Sequence, residues 1–361
     1  MKRFGNLYAR IYDIENLRTA FYKASAGRKS KHEVILFEKD LEGNLLKLQN
    51  ELKEHTYRTS EYQMFMVRDP KEREVFKLPF RDRIIHHAIM NILEPIWGKQ
   101  FISHSYSAIK GKGIHGCLKH LKRGLRNVSD TRYCLKMDLK KFYPSINHDI
   151  LKQIIRKKIK DHEMLALLDE IIDSAPGVPI GNYLSQFFAN LYLTYFDHWM
   201  KEIMRVKYYY RYADDIVILH SSKEYLWKLF QEMNDYLSSK LKMTIKSNYQ
   251  VFPVDKRGID FVGYVFYHTH IRIRKRIKRN FCRTIAKLKK RNKPITNVEY
   301  TQKIATWLGW AKFCNSINLL KKVITNDEVF RTWYSSRYGK HLHITSSKLC
   351  VLLKPLPLAY S

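Results

Sequence analysis

Two adjacent carboxylates, Asp214 and Asp215, sit between apolar, aromatic and β-branched runs in the stretch Tyr208 to Leu219, YYYRYADDIVIL. The pattern predicts a β-hairpin with paired carboxylates at its tip. Like charges that close repel and raise each other's pKa, so a site that keeps both ionised supplies a cation. Hard divalent ions such as Mg2+ take carboxylate oxygens and usually bring a phosphate-bearing ligand. The plainer reading is a solvated turn, since Asp is a common turn residue. A third carboxylate, Asp138, ends the predicted strand Tyr133 to Leu139. An acid at the end of a buried strand is costly without a cationic partner, and Lys140 and Lys141 beside it are the local candidates for a salt bridge, with an N-cap as the other bland role.

These residues need a scaffold, and the composition bounds it. The chain has 361 residues, enough for a substantial core in two or three subdomains. Its 66 Lys and Arg against 34 Asp and Glu give a net charge of +32. A pI near 9.8 lies in the range of nucleic-acid binders. A membrane-surface protein can be equally basic, but no apolar run is long enough to span a bilayer, and Met1-Lys2-Arg3 does not open a signal peptide. Cys117, Cys134, Cys282, Cys314 and Cys350 are scattered without a CxxC pair, so neither a disulfide framework nor a zinc site is expected, and a reducing cytoplasm fits best.

In chain order, residues 1 to 60 are predicted helical, with apolar positions at Leu17, Phe21 and Tyr22 and at Phe37, Leu41, Leu45, Leu46 and Leu48. Two basic strands are expected over 61 to 80, turning at Asp69-Pro70 and carrying Arg73 and Lys77. Arg81-Asp82-Arg83 opens a helix, with Asp82 beside the positive end of the dipole. The loop Ser105 to Gly113 carries Lys110 and Lys112. It can bring backbone N–H and ammonium groups to phosphates, although it lacks Walker spacing and reads equally well as an ordinary flexible loop. A helix is expected from near Ser145, with His148 and Asp149 solvated, and helical periodicity runs from Ile150 to Asp173. One long aromatic helix is predicted from about Tyr183 to Met204, with Ser185 and Gln186 near its start, and another over roughly Glu224 to Leu241. A strand pair is expected around Met243 to Phe252, then a single strand Ile259 to Phe266 whose Gly263 signals close backbone approach. About half of Arg272 to Lys293 is Lys or Arg on an amphipathic helical pattern suited to a duplex backbone, and Thr306 to Val323 is predicted as a second helix with Trp307, Trp310 and Phe313.

Asp138, Asp214 and Asp215 fit two-metal phosphoryl transfer, in which carboxylates bridge two ions ~3.5–4 Å apart. That chemistry is mainly positioning and charge stabilisation. Here the chain resembles a reverse transcriptase. The resemblance rests on Asp138-Leu139-Lys140-Lys141-Phe142-Tyr143, on Pro179-Ile180-Gly181 with Ser185-Gln186, on Tyr212-Ala213-Asp214-Asp215 and on Phe261-Val262-Gly263-Tyr264, in the family's order. It implies an α+β right-hand polymerase: an N-terminal helical extension (1–60), fingers (61–130), a palm with an antiparallel sheet (131–268, with a fingers insertion at about 150–180), a helical thumb (269–325) and a basic tail (326–361).

The same resemblance implies that Asp138 and Asp214 hold two Mg2+ ions, with Mn2+ as a substitute, that Asp215 completes the catalytic set, and that the Leu139 carbonyl adds a ligand. Tyr143 matches the aromatic position that crowds the sugar 2′ carbon and rejects ribonucleotides. Lys110 matches a residue that grips the incoming triphosphate, helped by Arg73 or Lys77. Lys246 is the candidate for a lysine near the leaving phosphate. Ile180, Gly181 and Gln186 would border the nucleotide. Gly263 matches the primer-grip turn, and Tyr212, Arg274 and Lys278 would meet primer and template. The implied partners are template RNA, the cDNA/RNA duplex and dNTPs, with no membrane.

Most of the family carries Gln where this chain has Ile180, and Pro where it has Gln186. In that respect the chain is similar to the reverse transcriptases of diversity-generating retroelements, which copy RNA error-prone at adenines and usually work with a small basic accessory protein. An antiphage-defence or unclassified bacterial reverse transcriptase is the alternative within the class. A group II intron protein is less expected, because little chain follows Gly263. A non-catalytic RNA-binding scaffold is the alternative outside the class.

Overall fold

The computed structural model describes residues 2–68, 72–290 and 296–324, with Ser335. The expected Asp69-Pro70 turn and the basic tail lie outside the described residues.

The N-terminal segment is helical, as its periodicity requires: α1 (Tyr8–Ile11), α2 (Ile14–Ser25), α3 (His32–Glu38) and α4 (Leu41–Lys53). Asp13 and Asp40 cap α2 and α4 by accepting from backbone N–H groups of the first turns. Leu17, Phe21, Leu45 and Leu48 are buried, whereas Tyr22 and Leu46 are exposed. Each follows a buried residue directly, and one helical step of ~100° carries it off the apolar stripe. A two-stranded ribbon, β1 (Gln63–Val67) with β2 (Arg73–Lys77), is followed by α5 (Phe80–Trp97), which packs along α2. Next come α6 (Ile114–Gly124) and β3 (Tyr133–Asp138).

The expected helix at Ser145 begins instead at His148. Tyr143–Ser145 forms a tight 3-10 turn, and Asn147 caps α7 (His148–Arg156) by accepting from the Ile150 N–H at 3.1 Å. The 150–173 periodicity divides into α7 and α8 (His162–Asp173). Asp161 caps α8 and also accepts from the Leu7 and Tyr8 N–H groups, drawing the N-terminus to the break. The long aromatic helix is likewise α9 (Tyr183–Tyr192), α10 (Thr194–His198) and a π-helical turn at Trp199–Ile203.

Then follow β4 (Tyr208–Tyr212), β5 (Asp215–His220), α11 (Lys223–Leu241), β6 (Gln250–Pro253) and α12 (Val254–Arg257). The main sheet is antiparallel with order β4-β5-β3-β6. Alternate residues of its central strands enter different cores. Leu135, Met137, Ile216 and Ile218 join the helices α5, α7, α9 and α11, while Cys134, Val217 and Leu219 face α6 and a second sheet. Burial on both faces explains why these strands read as unbroken apolar runs.

The expected strand pair at 243–252 is the single strand β6, with Ile245 making only a bridge to Leu139. The expected single strand at 259–266 is a hairpin, β7 (Ile259–Phe261) and β8 (Tyr264–Phe266), joined to β9 (Ile271–Ile273) in a three-stranded sheet. The basic helix is α13 (Lys275–Lys289). The last expected helix is two, α14 (Asn297–Ala311) and α15 (Ile317–Val323). Asn315 accepts from the Ile271 N–H and donates its own N–H to the Ile271 carbonyl, both at 2.9 Å, and the break at Asn315 is thereby tied to β9. Among the described residues no helix is long and apolar enough to cross a membrane, and Cys117, Cys134, Cys282 and Cys314 are free thiols.

Candidate active site

Strand register assembles the carboxylates. β3 pairs with β5 so that Asp138 lies opposite Asp215, and β4 pairs with β5 so that Tyr212 lies opposite Asp215. Ala213 and Asp214 form the turn, and the Leu139 N–H donates to the Asp214 carbonyl at 3.3 Å. Ala213 takes φ +52°, a conformation that residues with a Cβ rarely adopt.

The charges are only partly balanced. Burial pushes the Asp215 carboxyl up to about 7, with Lys136 opposing and the carboxylates of Asp138 and Asp214 adding to the rise. Its Oδ1 is buried and has no hydrogen-bond partner among the described residues. Burial also raises Asp214, with Lys246 opposing. The cation beside Asp138 is Lys246, not the sequence neighbours Lys140 or Lys141. Lys246 Nζ lies 3.8 Å from Asp138 Oδ1 and 3.6 Å from Asp214 Oδ2. Backbone bonds set it there: the Lys246 N–H donates to the Asp138 carbonyl and the Lys140 N–H to the Thr244 carbonyl, each at 2.8 Å. Lys136 Nζ lies 3.6 Å from Asp215 Oδ2.

An orphaned buried carboxylate oxygen among three carboxylates fits a hard divalent cation. Among the described residues no three acidic, imidazole or thiol groups close into a metal cage. Mg2+ is commonly held by one or two carboxylates together with substrate phosphates, a number that Asp138 and Asp214 supply.

Tyr143 lies beside this group. Burial pushes its phenol up to about 12, with the Asp214 charge adding and Arg211 and, less, Arg73 opposing, so the phenol is neutral. Its carbonyl accepts from the Val178 N–H at 3.0 Å. A Cβ on Gly177 would come within 2.6 Å of the Tyr143 and Pro144 carbonyl oxygens, so only glycine fits there. His148 was expected to be solvated, but its ring bonds the Gly177 carbonyl at 2.8 Å and Asp173 at 3.1 Å, holding this loop against Tyr143.

The Ile180 carbonyl accepts from the Phe76 N–H at 2.8 Å, and Gly181, at φ +119°, packs against the Phe76 carbonyl. This docks β2 on the loop and leaves Arg73, exposed at the start of β2, near Tyr143. Lys77 is instead engaged by Glu33 at 2.9 Å. Gln186 is half-buried in the first turns of α9, beside the buried Ser185. In the 105–113 loop, Lys112 donates to the carbonyls of Ile102 and Ser103, while Lys110 is exposed.

Gly263 turns β7 into β8 at φ +88°, and a Cβ there would meet Trp310 Cη2 at 2.6 Å. Its carbonyl accepts from the Arg274 N–H at 3.0 Å, and the Arg274 guanidinium pairs with Asp260 while its charge reaches Asp215. Lys278 lies farther along α13, lining a cleft of about 410 Å³ between α13 and α15.

The sequence reading missed Arg211, Asp197 and Asn190. Arg211 is fully buried, and its guanidinium grips the equally buried Asp197 through Nε at 2.8 Å and Nη2 at 2.5 Å. Its Nη1 donates to Asn190 Oδ1 at 3.1 Å and to the Ala213 carbonyl at 3.0 Å. The only local signal was one arginine inside an aromatic strand; its partner Asp197 lies on the helix α10. Lys136, two residues before Asp138 and thus on the same strand face, was also missed, though period-2 alternation would have found it.

Residues 68–266 match the family described as reverse transcriptase (RNA-dependent DNA polymerase). The chain is similar to protein YkfC of Escherichia coli (strain K12), 26% identical over 229 residues that cover 51% of this chain and 60% of that protein. It is also similar to the group II intron-encoded protein LtrA of Lactococcus lactis subsp. cremoris, 26% identical over 176 residues, 45% of this chain and 29% of that protein. Among solved structures it resembles apo telomerase from Candida tropicalis, with a TM-score of 0.50 at 13% identity, covering 77% of this chain and 57% of that one. The chain thus matches less than two thirds of the length of each of these relatives, and the structural likeness places it in the right-hand polymerase fold.

Proposed function

Because the chain belongs to the reverse transcriptase (RNA-dependent DNA polymerase) family, we propose that it is an RNA-directed DNA polymerase with Asp138, Asp214 and Asp215 at its catalytic centre. The observation that carries the proposal is the β3–β5 register, which sets Asp138 opposite Asp215 with Asp214 on the adjoining turn. When bound, two Mg2+ ions would promote attack by the primer 3′-hydroxyl and neutralise the leaving pyrophosphate.

The chain's own residues do the rest. Asp138 and Asp214, with the Leu139 carbonyl, would hold the ions, and Asp215 would add to the negative field. Lys246 turns toward the departing phosphate, a role supported by its position within 4 Å of Asp138 and Asp214. Lys110 grips the triphosphate, helped by Arg73 or by Lys77, whose ammonium pairs with Glu33 in the free protein. Tyr143, locked by Gly177 and Val178, closes the space a 2′-hydroxyl would need. Ile180, Gly181 and Gln186 border the nascent pair. Tyr212, the Gly263 turn, Arg274 and Lys278 guide primer and template. Residues 61–130 act as fingers, with the 150–180 insertion, 131–268 as palm, and 269–325 as thumb, behind the 1–60 helical extension.

On the finer question of role, we propose an error-prone retroelement enzyme. Ile180 offers no side-chain hydrogen bond where most of the family has an amide, which loosens selection of the templating pair. The likeness to an intron-encoded protein supports a second reading, a polymerase that copies an intron RNA. Primer extension on RNA with Mg2+ and dNTPs, beside Asp214→Ala/Asp215→Ala, tests the activity. Extension that persists in the double variant overturns the assignment. Sequencing the products separates the roles: adenine-centred errors support the retroelement reading, and accurate copying the other.

A further inference from the structure

The buried Arg211–Asp197 pair has no stability argument to justify it. Removing two charges from water is costly, and apolar replacements of similar shape often serve a fold as well or better. What distinguishes this pair is where its hydrogen bonds end. Arg211 Nη1 reaches the Ala213 carbonyl at 3.0 Å, in the turn that carries Asp214 and Asp215. The same nitrogen holds Asn190 Oδ1 at 3.1 Å, and Asn190 Nδ2 donates to the Ser107 carbonyl at 2.7 Å, in the loop that carries Lys110. The backbone repeats the link: the Tyr106 N–H donates to the Arg211 carbonyl at 3.1 Å and the Arg211 N–H to the His104 carbonyl at 3.0 Å.

Both ends of this chain of contacts are strained. Ala213 has φ +52° and Ala108, next to Ser107, has φ +50°. Such conformations persist only where the surroundings over-determine them. Asp197, Arg211 and Asn190 are each at most 2% exposed, so their side chains sit behind the surface that substrate meets.

We propose that Asp197, Arg211 and Asn190 form a positioning unit that holds the carboxylate turn and the Lys110 loop in one fixed relation, so that the metal-binding and triphosphate-binding halves of the site are aligned before substrate arrives. The proposal rests on the polymerase reading for its kinetic consequence but not for its structural one. None of the three touches the reacting atoms; they act through Ala213 and Ser107.

The test uses the full chain. Replacing only one charge strands the other, so the pair is replaced together as Tyr209→Phe/Arg211→Met/Asp197→Leu, where the tyrosine change avoids orphaning a hydroxyl that now donates to Asp197 at 2.6 Å. The triple variant, which leaves Asn190 Oδ1 without its Arg211 donor, is expected to fold and to melt somewhat below the wild type. Its amides in 105–110 and 212–216 should exchange faster with deuterium, and kcat should fall by about 10–100-fold, the loss expected of a displacement of order 1 Å. Asn190→Ala is expected to speed exchange only in 105–110 and to raise KM for dNTP while kcat stays within about twofold, because it releases the lysine loop and leaves the Ala213 contact. A folded triple variant with wild-type exchange and kinetics overturns the proposal. If the triple variant does not fold, unchanged 105–110 exchange in Asn190→Ala overturns it. A wild-type chain that extends no primer refutes the polymerase reading, and the exchange data alone then decide this one.

Discussion

Replacing Asp215 by Asn should make the protein more stable while it abolishes or cripples catalysis. The Asp215 carboxyl is pushed from 3.8 up to about 7, by burial first and by the Asp138 and Asp214 carboxylates next, against the opposing pull of Lys136. A rise of about three units corresponds to about 4 kcal/mol of disfavoured charge in the folded state at high pH. Solvent at the partly open side chain, 23% exposed, reduces this to roughly 2–3 kcal/mol. The sign follows from proton linkage. Between the unfolded and folded pKa values the native state binds more protons than the unfolded one, so stability falls as pH rises from about 4 to about 7 and is level above that. Asn carries no charge at any pH and keeps the shape. The gap in melting temperature between variant and wild type should be about a quarter of its full size at pH 4.5 and open to roughly 4–8 °C at pH 8. Excess Mg2+ should narrow the gap at pH 8 by stabilising the wild type, since a bound cation relieves the same repulsion. Thermal melting by circular dichroism across this pH range, with and without Mg2+, reads all three. A gap that does not change with pH, or a variant less stable than the wild type at pH 8, refutes the electrostatic reasoning.

Three further outcomes are expected. Tyr143→Ala should raise incorporation of ribonucleotides relative to deoxyribonucleotides by about 10–100-fold, since a steric screen against one hydroxyl is worth roughly that much, and competitive incorporation assays measure it; unchanged discrimination would remove Tyr143 from the sugar pocket. Gly263→Ala forces a Cβ into Trp310 at a positive φ, so it should destabilise by about 1–3 kcal/mol and shorten extension products in a processivity assay, whereas an unshifted melting temperature would show that α14 gives way freely. Lys246→Met removes the ammonium shared by Asp138 and Asp214 and should lower the melting temperature, with Mg2+ restoring most of the loss; a loss that Mg2+ leaves unchanged would mean that Lys246 acts through packing alone.

Much of the site was legible because its signals are local. Apolar, aromatic and β-branched runs on either side of an acidic pair predict a hairpin, and β4 and β5 form it with Asp214 and Asp215 at the tip. Asp138 was legible as the end of an apolar strand, though not as the residue opposite Asp215, because register between separate strands depends on the whole sheet. The helix breaks at Leu193 and at 312–316 were invisible to periodicity, since apolar spacing continues across them. The break at 312–316 is made by a contact from β9, far away in the chain.

The sequence by itself determined the chemistry on offer: a strongly basic chain, three carboxylates on strand ends, an aromatic at 143, and glycines at the turns that need them. It did so because residue type and spacing of a few positions are properties of the local chain. The tertiary structure alone decided which cation meets which carboxylate. Lys246 rather than Lys140 or Lys141 answers Asp138, Lys77 is taken by Glu33, and Arg211 turns inward to Asp197 instead of outward to solvent. In a chain with 66 cationic side chains, composition cannot select among them. Selection falls to whichever ammonium or guanidinium the packing brings within about 4 Å, where attraction offsets the cost of burying charge.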